Sequence, residues 1–248
     1  MRIVVLRREQ TAYGPLILVN AAHPLADGSS PKLAAPNELH PQVLMERQAA
    51  RLLDACVLAA GGWQAIVPVS GWRSLEEQRQ IWADTWNREG EEFTRKYVAL
   101  PRCSEHQTGL AIDLGERAEH IDFIRPHFPN DGACGRFRRL AADYGFIQRY
   151  RREKEHVTGI AEEPWHFRYV GAPHARVMED NGLCLEEYGD FLREGPKNCT
   201  LSNGRRVTVS YLPCPREAAE LAVSEAACIQ VSGHNDGGFI ITVWEAVS

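Results

Sequence analysis

No stretch of this chain is apolar for long enough to cross a bilayer or to act as a secretion leader. The opening Met1-Arg2-Ile3-Val4-Val5-Leu6-Arg7-Arg8 breaks off after a few residues, and nothing later reaches the length required. A cytoplasmic protein with no membrane span is expected, or an extracytoplasmic one if a leader has been removed. There is no Cys-x-x-Cys pair either. The seven cysteines, at 56, 103, 134, 184, 199, 214 and 228, are scattered and odd in number, which speaks for reduced thiols and against a disulfide framework. Basic residues are not in excess: the formal net charge of -5 leaves no broad basic footprint and excludes nucleic acid as an expected partner. One local cluster, Arg136, Arg138, Arg139, Arg149, Arg151 and Arg152, reads as a solvated face. Internal repeats and low-complexity segments are absent as well.

What remains is an ordinary globular composition, 44% hydrophobic and 25% charged, in 248 residues that can bury a substantial core. Strands are expected at Ile3-Leu6 and Leu16-Val19, followed by a Pro/Gly/Ser-rich loop from His23 to Pro41. Pro41 suits the first turn of a helix running to about Ala60 and stopped by Gly61-Gly62. The short β-branched run Gln64-Val69 reads as a buried strand. Ser74 and Glu77 form a capping-box pattern at the start of a helix carrying Gln78, Ile81, Trp82 and Thr85 on one face. Phe137, Leu140, Ala141 and Tyr144 share a helical stripe that ends at Gly145. Strands follow at Phe146-Tyr150 and His166-Val170, then two short helices, the first stopping near Gly182.

Beyond about Gly195 the texture changes. A turn at Ser202-Asn203-Gly204, an alternating strand at Arg206-Leu212, an Ala/Glu-rich helix over Pro215-Ala227, and a hairpin turning at Asn235-Asp236-Gly237-Gly238 are expected. The fold class is therefore α+β: helices packed on a mainly antiparallel sheet over residues 1–182, and a small β-rich C-terminal appendage over 183–248.

Two segments carry the chemistry. In Ser104-Glu105-His106-Gln107-Thr108-Gly109-Leu110-Ala111-Ile112-Asp113, Gly109 permits a bend or close approach. The apolar run then holds Asp113 rigidly at its end. In Glu163-Pro164-Trp165-His166, strict alternation would point 163 and 166 to opposite faces, but Pro164 breaks the regularity and lets both face one cavity. If the segments meet, two imidazoles and a carboxylate are offered to a metal. Three N/O ligands on Zn²⁺ leave a fourth position for water, and a nearby Glu can take its proton. Arg73 sits just before a helix start, where the dipole repels cations, so it has an anionic customer, either a structural carboxylate or a substrate oxyanion. Cys103 as a fourth ligand is the weaker reading. His120, His127, His156 and His174 are read as surface or capping residues.

The ordered set Ser-Gly-Trp-Arg-Ser-x3-Gln from Ser70, Ser-x-His-x2-Gly-x-Ala-x-Asp from Ser104 and Glu-Pro-Trp-His-Phe-Arg-Tyr-Val-Gly from Glu163 resembles the VanY-type zinc D-alanyl-D-alanine carboxypeptidases, relatives of the VanX dipeptidases and the bifunctional VanXY enzymes. Leu18-Val19-Asn20 with His23-Pro24-Leu25, and Tyr144 to Tyr150, extend the resemblance to roughly residues 16 to 172. It implies that His106, Asp113 and His166 ligate Zn²⁺, that Glu163 is the general base and that Arg73 stabilises the tetrahedral oxyanion. It further implies that Gln78 and Ser104 hold the substrate's terminal groups. Trp165 is expected to line the cleft. Where the family commonly has Pro-Gly before the Ser-x-His motif, this chain has Pro101-Arg102-Cys103, and specificity is expected to be decided in that loop. The implied activity is removal of C-terminal D-Ala from peptidoglycan precursors or D-Ala-D-Ala. The alternatives are an L,D-carboxypeptidase acting on tetrapeptide stems and a noncatalytic zinc-stabilised module that binds cell-wall peptide.

Overall fold

The computed structural model describes residues 1–245 except 27, 29, 202 and 203, so the turn expected at Ser202-Asn203 lies outside the described residues. Helices and antiparallel sheets are mixed, and no helix among the described residues is long and apolar enough to cross a membrane. The chain divides into two compact units. One is Val19–Val170; the other combines Met1–Leu18 with Gly171–Ser248.

The Val19–Val170 unit is built on a four-stranded antiparallel sheet in the order Ile66–Ser70, Ala111–Glu116, Glu163–Tyr169, Phe146–Tyr150. Alternation along these strands sorts the two faces. Ile66, Ile112, Leu114, Phe146, Phe167 and Tyr169 go to one side. There they join Leu53, Val57 and Ala60 of the helix Arg47–Ala60 and Phe137 of the helix Gly132–Leu140 in a single core. Asp113, His166 and Arg168 are left for the opposite face. Phe128, Phe137 and Phe167 meet edge to face, with centroids 4.9 to 5.9 Å apart, which fixes this core more tightly than area burial alone.

The helix expected from Pro41 begins later, at Arg47. Met45–Glu46 first pairs with Leu33–Ala34, and the Glu46 carboxylate then accepts from Gln48 and Ala49 backbone N–H, so the helix cannot start before that ladder ends. The Ser74 capping box forms, with Ser74 Oγ accepting from Glu77 N at 3.1 Å and Glu77 Oε2 from Ser74 N at 2.7 Å. It opens the helix Leu75–Glu89 and so sets the exit direction of Arg73.

In the other unit, the strand Arg2–Arg7 pairs antiparallel with Ala218–Val223, the segment expected to be helical. Its Ala/Glu content suits a helix, but its burial alternates, with Ala219 and Val223 inward, and the N-terminal strand supplies a ladder that no local pattern reveals. That pairing is also why the N-terminal segment groups with the C-terminal residues. Leu16 to Leu18 is buried without joining a sheet: Leu16 N–H donates to Ser232 Oγ and Leu18 N–H to Asn235 Oδ1. A four-stranded sheet (Cys228–His234, Gly238–Trp244, Arg206–Pro213, Lys197–Thr200) carries the expected hairpin, and the helices Ala172–Asp180 and Leu185–Arg193 precede it. His174, expected at the surface, is buried, its Nδ1 2.9 Å from Tyr188 Oη and its Nε2 3.0 Å from Thr242 Oγ1.

Candidate active site

Asp113 and His166 are directly paired across adjacent strands, and Ser70 is paired with Asp113 on its other side. One row of the sheet thus carries three polar side chains toward the same face. Gly109 turns the chain into that row: it sits in the left-handed region at φ 72°, and a Cβ there would lie 2.9 Å from Glu46 N, whose N–H donates to Gly109 O. The short 3₁₀ turn Glu105–Thr108 ahead of it brings His106 over the row.

His106 Nδ1–H donates to Gly71 O at 2.7 Å, which leaves Nε2 facing Asp113 Oδ2 at 3.2 Å. Gly71 can take this role because its backbone runs against Leu44 O, where a Cβ would clash at 2.2 Å. His166 Nδ1 lies 2.8 Å from Asp113 Oδ1 and 3.8 Å from Glu163 Oε2. The strand register slips between Gln148 and Tyr150, where Tyr150 pairs with Glu163, so Glu163 and His166 do share a cavity despite their odd spacing. Arg73 stands across from them. It donates from Nη2 to Asp113 Oδ2 at 2.9 Å, from Nε to Ser70 Oγ at 2.8 Å and from Nη1 to Gln78 Oε1 at 3.5 Å.

Burial and charge then separate the protonation states. Burial, helped by Arg73, lowers His106 to about 4, so it is neutral and has a free lone pair at neutral pH. Burial disfavours the Asp113 carboxylate, yet His106 and His166 hold it well below the usual carboxylate range. Burial also opposes a charged His166, but its hydrogen bond to Asp113 and the nearby Glu105 carboxylate raise it to about 9. Glu163 is pushed up to about 8 by burial and by the Asp113 and Glu105 charges, against the opposing pull of His166 and Arg73. Two carboxyls that both neighbour His166 Nδ1 are therefore driven in opposite directions, one toward the anion and one toward the protonated form.

Among the described residues, His106, Asp113 and His166 form a group whose ligand atoms all lie within 4.8 Å of one another. The donor set fits Zn²⁺: two imidazole nitrogens and one carboxylate oxygen, all buried, are the N/O ligands that leave a coordination position open. Cys103 is not in the group.

Ser104 and Trp165 line the cleft with these residues, as do Phe123, Ile124 and Tyr150. Gln78 is fully buried and is not a lining residue; its amide donates to Ala99 O at 2.8 Å and its Oε1 supports Arg73. Arg102 and Cys103 are also not lining residues. Arg102 instead donates from Nη2 to Leu25 O at 3.1 Å, with its backbone held at φ 71°. One charged group under the site was missed from sequence. Glu105 is bound by Arg149 and Arg168, and all three side chains are fully buried. Arg149 therefore does not belong to a solvated arginine face. Arg168, two residues along the strand from His166 and so on the same face, was the available signal.

A cleft that can hold a cation and move a proton beside it is the equipment of a metal-dependent hydrolase. Comparison with known proteins narrows this. The family description for the VanY D-alanyl-D-alanine carboxypeptidases matches residues 40–172. The bifunctional D-Ala-D-Ala dipeptidase and carboxypeptidase VanXYC of Enterococcus gallinarum is 42% identical over 182 residues, 72% of this chain and 95% of that protein. The crystal structure of the vancomycin resistance D,D-dipeptidase VanXYg, in complex with a D-Ala-D-Ala phosphinate analogue, superposes with a TM-score of 0.94 at 45% identity, covering 98% of this chain and 99% of that one. A VanY D,D-pentapeptidase from a VanB-type resistance cassette, solved with Zn(II), gives 0.58 at 29% identity over 70% of this chain and 98% of its own. This chain belongs to the VanY D-alanyl-D-alanine carboxypeptidase family.

Proposed function

We propose that this chain is a zinc-dependent D,D-peptidase that releases C-terminal D-Ala from peptidoglycan precursor peptides and from D-Ala-D-Ala itself. The observation that supports the reading is the 3.8 Å separation of Glu163 Oε2 from His166 Nδ1 in one cleft, close enough for a carboxyl to serve water held beside the three donors.

His106, Asp113 and His166 hold the metal. When bound, Zn²⁺ supplies a Lewis acid and makes water acidic enough to react near neutral pH. A cation there also draws Glu163 toward its ionised form, since a nearby positive charge favours a carboxylate. Glu163 takes a proton from the attacking water and delivers it to the leaving amine nitrogen of D-Ala, a two-way duty suited to a pKa raised by burial. Arg73 keeps N–H groups on Nη1 and Nη2 beyond those committed to Gln78 and Asp113, and aims them at the oxyanion that develops on the scissile carbonyl. Gln78 and Ser70 hold that guanidinium in place. Ser104, in the cleft wall, offers a hydroxyl to the substrate's terminal groups. Ile81, Phe123 and Trp165 give the reacting peptide an apolar wall.

The test is D-Ala release from D-Ala-D-Ala, from a pentapeptide ending in D-Ala-D-Ala and from a tetrapeptide stem, each with and without chelator. Release from the first two, abolished by chelator and restored by zinc, is expected. No release from either, or release indifferent to chelator, overturns the reading.

A further inference from the structure

The two histidines of the site present opposite ring nitrogens to it. His106 turns Nε2 inward because Nδ1 is engaged by Gly71 O at 2.7 Å. His166 turns Nδ1 inward, 2.8 Å from Asp113 Oδ1, and its Nε2 points the other way, to 3.7 Å from Glu105 Oε2. Both of these last atoms are buried and have no other hydrogen-bond partner. Two orphaned polar atoms facing one another inside a protein are costly unless they close on each other, and here the pair is a ring nitrogen and a carboxylate oxygen.

Glu105 is not free to relax away. Its Oε1 accepts from Arg149 Nε at 2.8 Å and lies 2.9 Å from Arg168 Nη1, and all three side chains are fully buried. A buried ion cluster of this kind is weak as a source of stability, since apolar side chains of like volume commonly serve as well. Its orientation supplies the other reason for it. The clamp uses one carboxylate oxygen and aims the second at the outward nitrogen of a metal ligand. A carboxylate in that place fixes which nitrogen carries the proton, locks the ring plane and raises the basicity of the ligating nitrogen.

We propose that Glu105, clamped by Arg149 and Arg168, is a positioning residue that holds His166 as the Nε2–H tautomer so that Nδ1 ligates the metal. This rests on the zinc-site reading above, and goes beyond it by giving the two imidazoles different tautomers set by different partners, a carbonyl for His106 and a carboxylate for His166.

The decisive measurement needs no variant. In zinc-loaded full-length protein labelled with ¹⁵N-histidine, long-range ¹H–¹⁵N spectra report which nitrogen of each ring is protonated. His106 is expected to carry its proton on Nδ1 and His166 on Nε2, the latter with a downfield, slowly exchanging imino signal. A His166 protonated on Nδ1, with Nε2 on the metal, overturns the proposal while leaving the zinc-site reading intact. Failure of the wild-type protein to take up zinc at one equivalent overturns the zinc-site reading, and this proposal with it. Glu105→Gln extends the test. Zinc affinity, measured by competition with a chromophoric chelator, is expected to fall about 10- to 100-fold, and the His166 imino signal to move upfield. Unchanged affinity together with an unchanged signal in a folded variant also overturns it. Should that variant not fold, the wild-type spectrum decides.

Discussion

His166 Nδ1 lies 2.8 Å from Asp113 Oδ1 across a directly paired position of two antiparallel strands. The spacing of two proposed ligands is thus set by ladder hydrogen bonds and not by a metal. Chelator-treated protein is therefore expected to keep its far-UV circular dichroism and a cooperative thermal transition, and to regain D-Ala release when zinc is returned. Loss of secondary structure on chelation would show that the metal builds the sheet geometry.

Glu163→Gln removes the proposed proton carrier while preserving shape. Metal content should stay at one equivalent while turnover falls by about 10²–10⁴. D-Ala release within a few-fold of wild type would remove Glu163 from the reaction.

Arg73 binds the fixed Asp113 carboxylate, and in the proposed reaction it also serves the transient oxyanion. Arg73→Lys keeps a charge but loses the fork that reaches Ser70, Gln78 and Asp113 together. A loss of about 10²–10³ in kcat with little change in KM is expected. A loss confined to KM would make Arg73 a ground-state binding group instead.

His174, which is not among the site residues, gives a pH signature of its own. Burial lowers it to about 3, from the ordinary histidine value of 6.5. Between those values the unfolded chain holds a proton that the folded chain refuses, so stability rises with pH there. The contribution is complete above about pH 6.5 and is lost as pH falls toward 3. His174→Gln is expected to flatten the dependence of unfolding free energy on pH in that window by up to about 1.4 kcal/mol per pH unit. Denaturant titrations at several pH values measure it, and parallel curves for the two proteins would refute it.

Arg102 carries the one positive φ at a non-glycine position among the described residues, and its guanidinium is turned to Leu25 O. Arg102→Gly relieves left-handed strain of about 1–2 kcal/mol and loses a hydrogen bond worth about 1 kcal/mol. Little net change in stability is expected, and the ratio of rates on dipeptide and pentapeptide should stay within about twofold, an estimate that follows from a side chain outside the cleft. A tenfold change in that ratio would return specificity to this loop.

Much of the candidate site's geometry was legible because its residues sit in short, ordered motifs. Ser74 and Glu77 announce the helix that follows Arg73, and the apolar run before Asp113 announces the strand that holds it. The break at Pro164 was visible too, and the register slip opposite Gln148 and Tyr150 is its structural form. What stayed hidden depends on partners distant in sequence. Glu105 carries no local signal of its burial until Arg149 and Arg168 arrive on neighbouring strands. Ala218–Val223 looks helical until the N-terminal strand pairs with it, and His174 looks exposed until Tyr188 and Thr242 enclose it. Local pattern carries propensity and spacing, whereas burial of polar groups is a property of the assembled chain.

The pairing of Ser70 with Asp113 and of Asp113 with His166 sets three of the site's side chains on a single rung of the sheet. Side chains alternate with each residue, so inserting or deleting one residue between Gly109 and Asp113 would swing Asp113 into the core and Ile112 into the cleft. Changes of length should therefore accumulate in the loops beyond Glu116 and before Gly132, while the stretch from Gly109 to Asp113 tolerates substitution but not a change in count. The rung behaves like a reading frame for the chemistry: a point change alters one part, and a frame change erases the site at once.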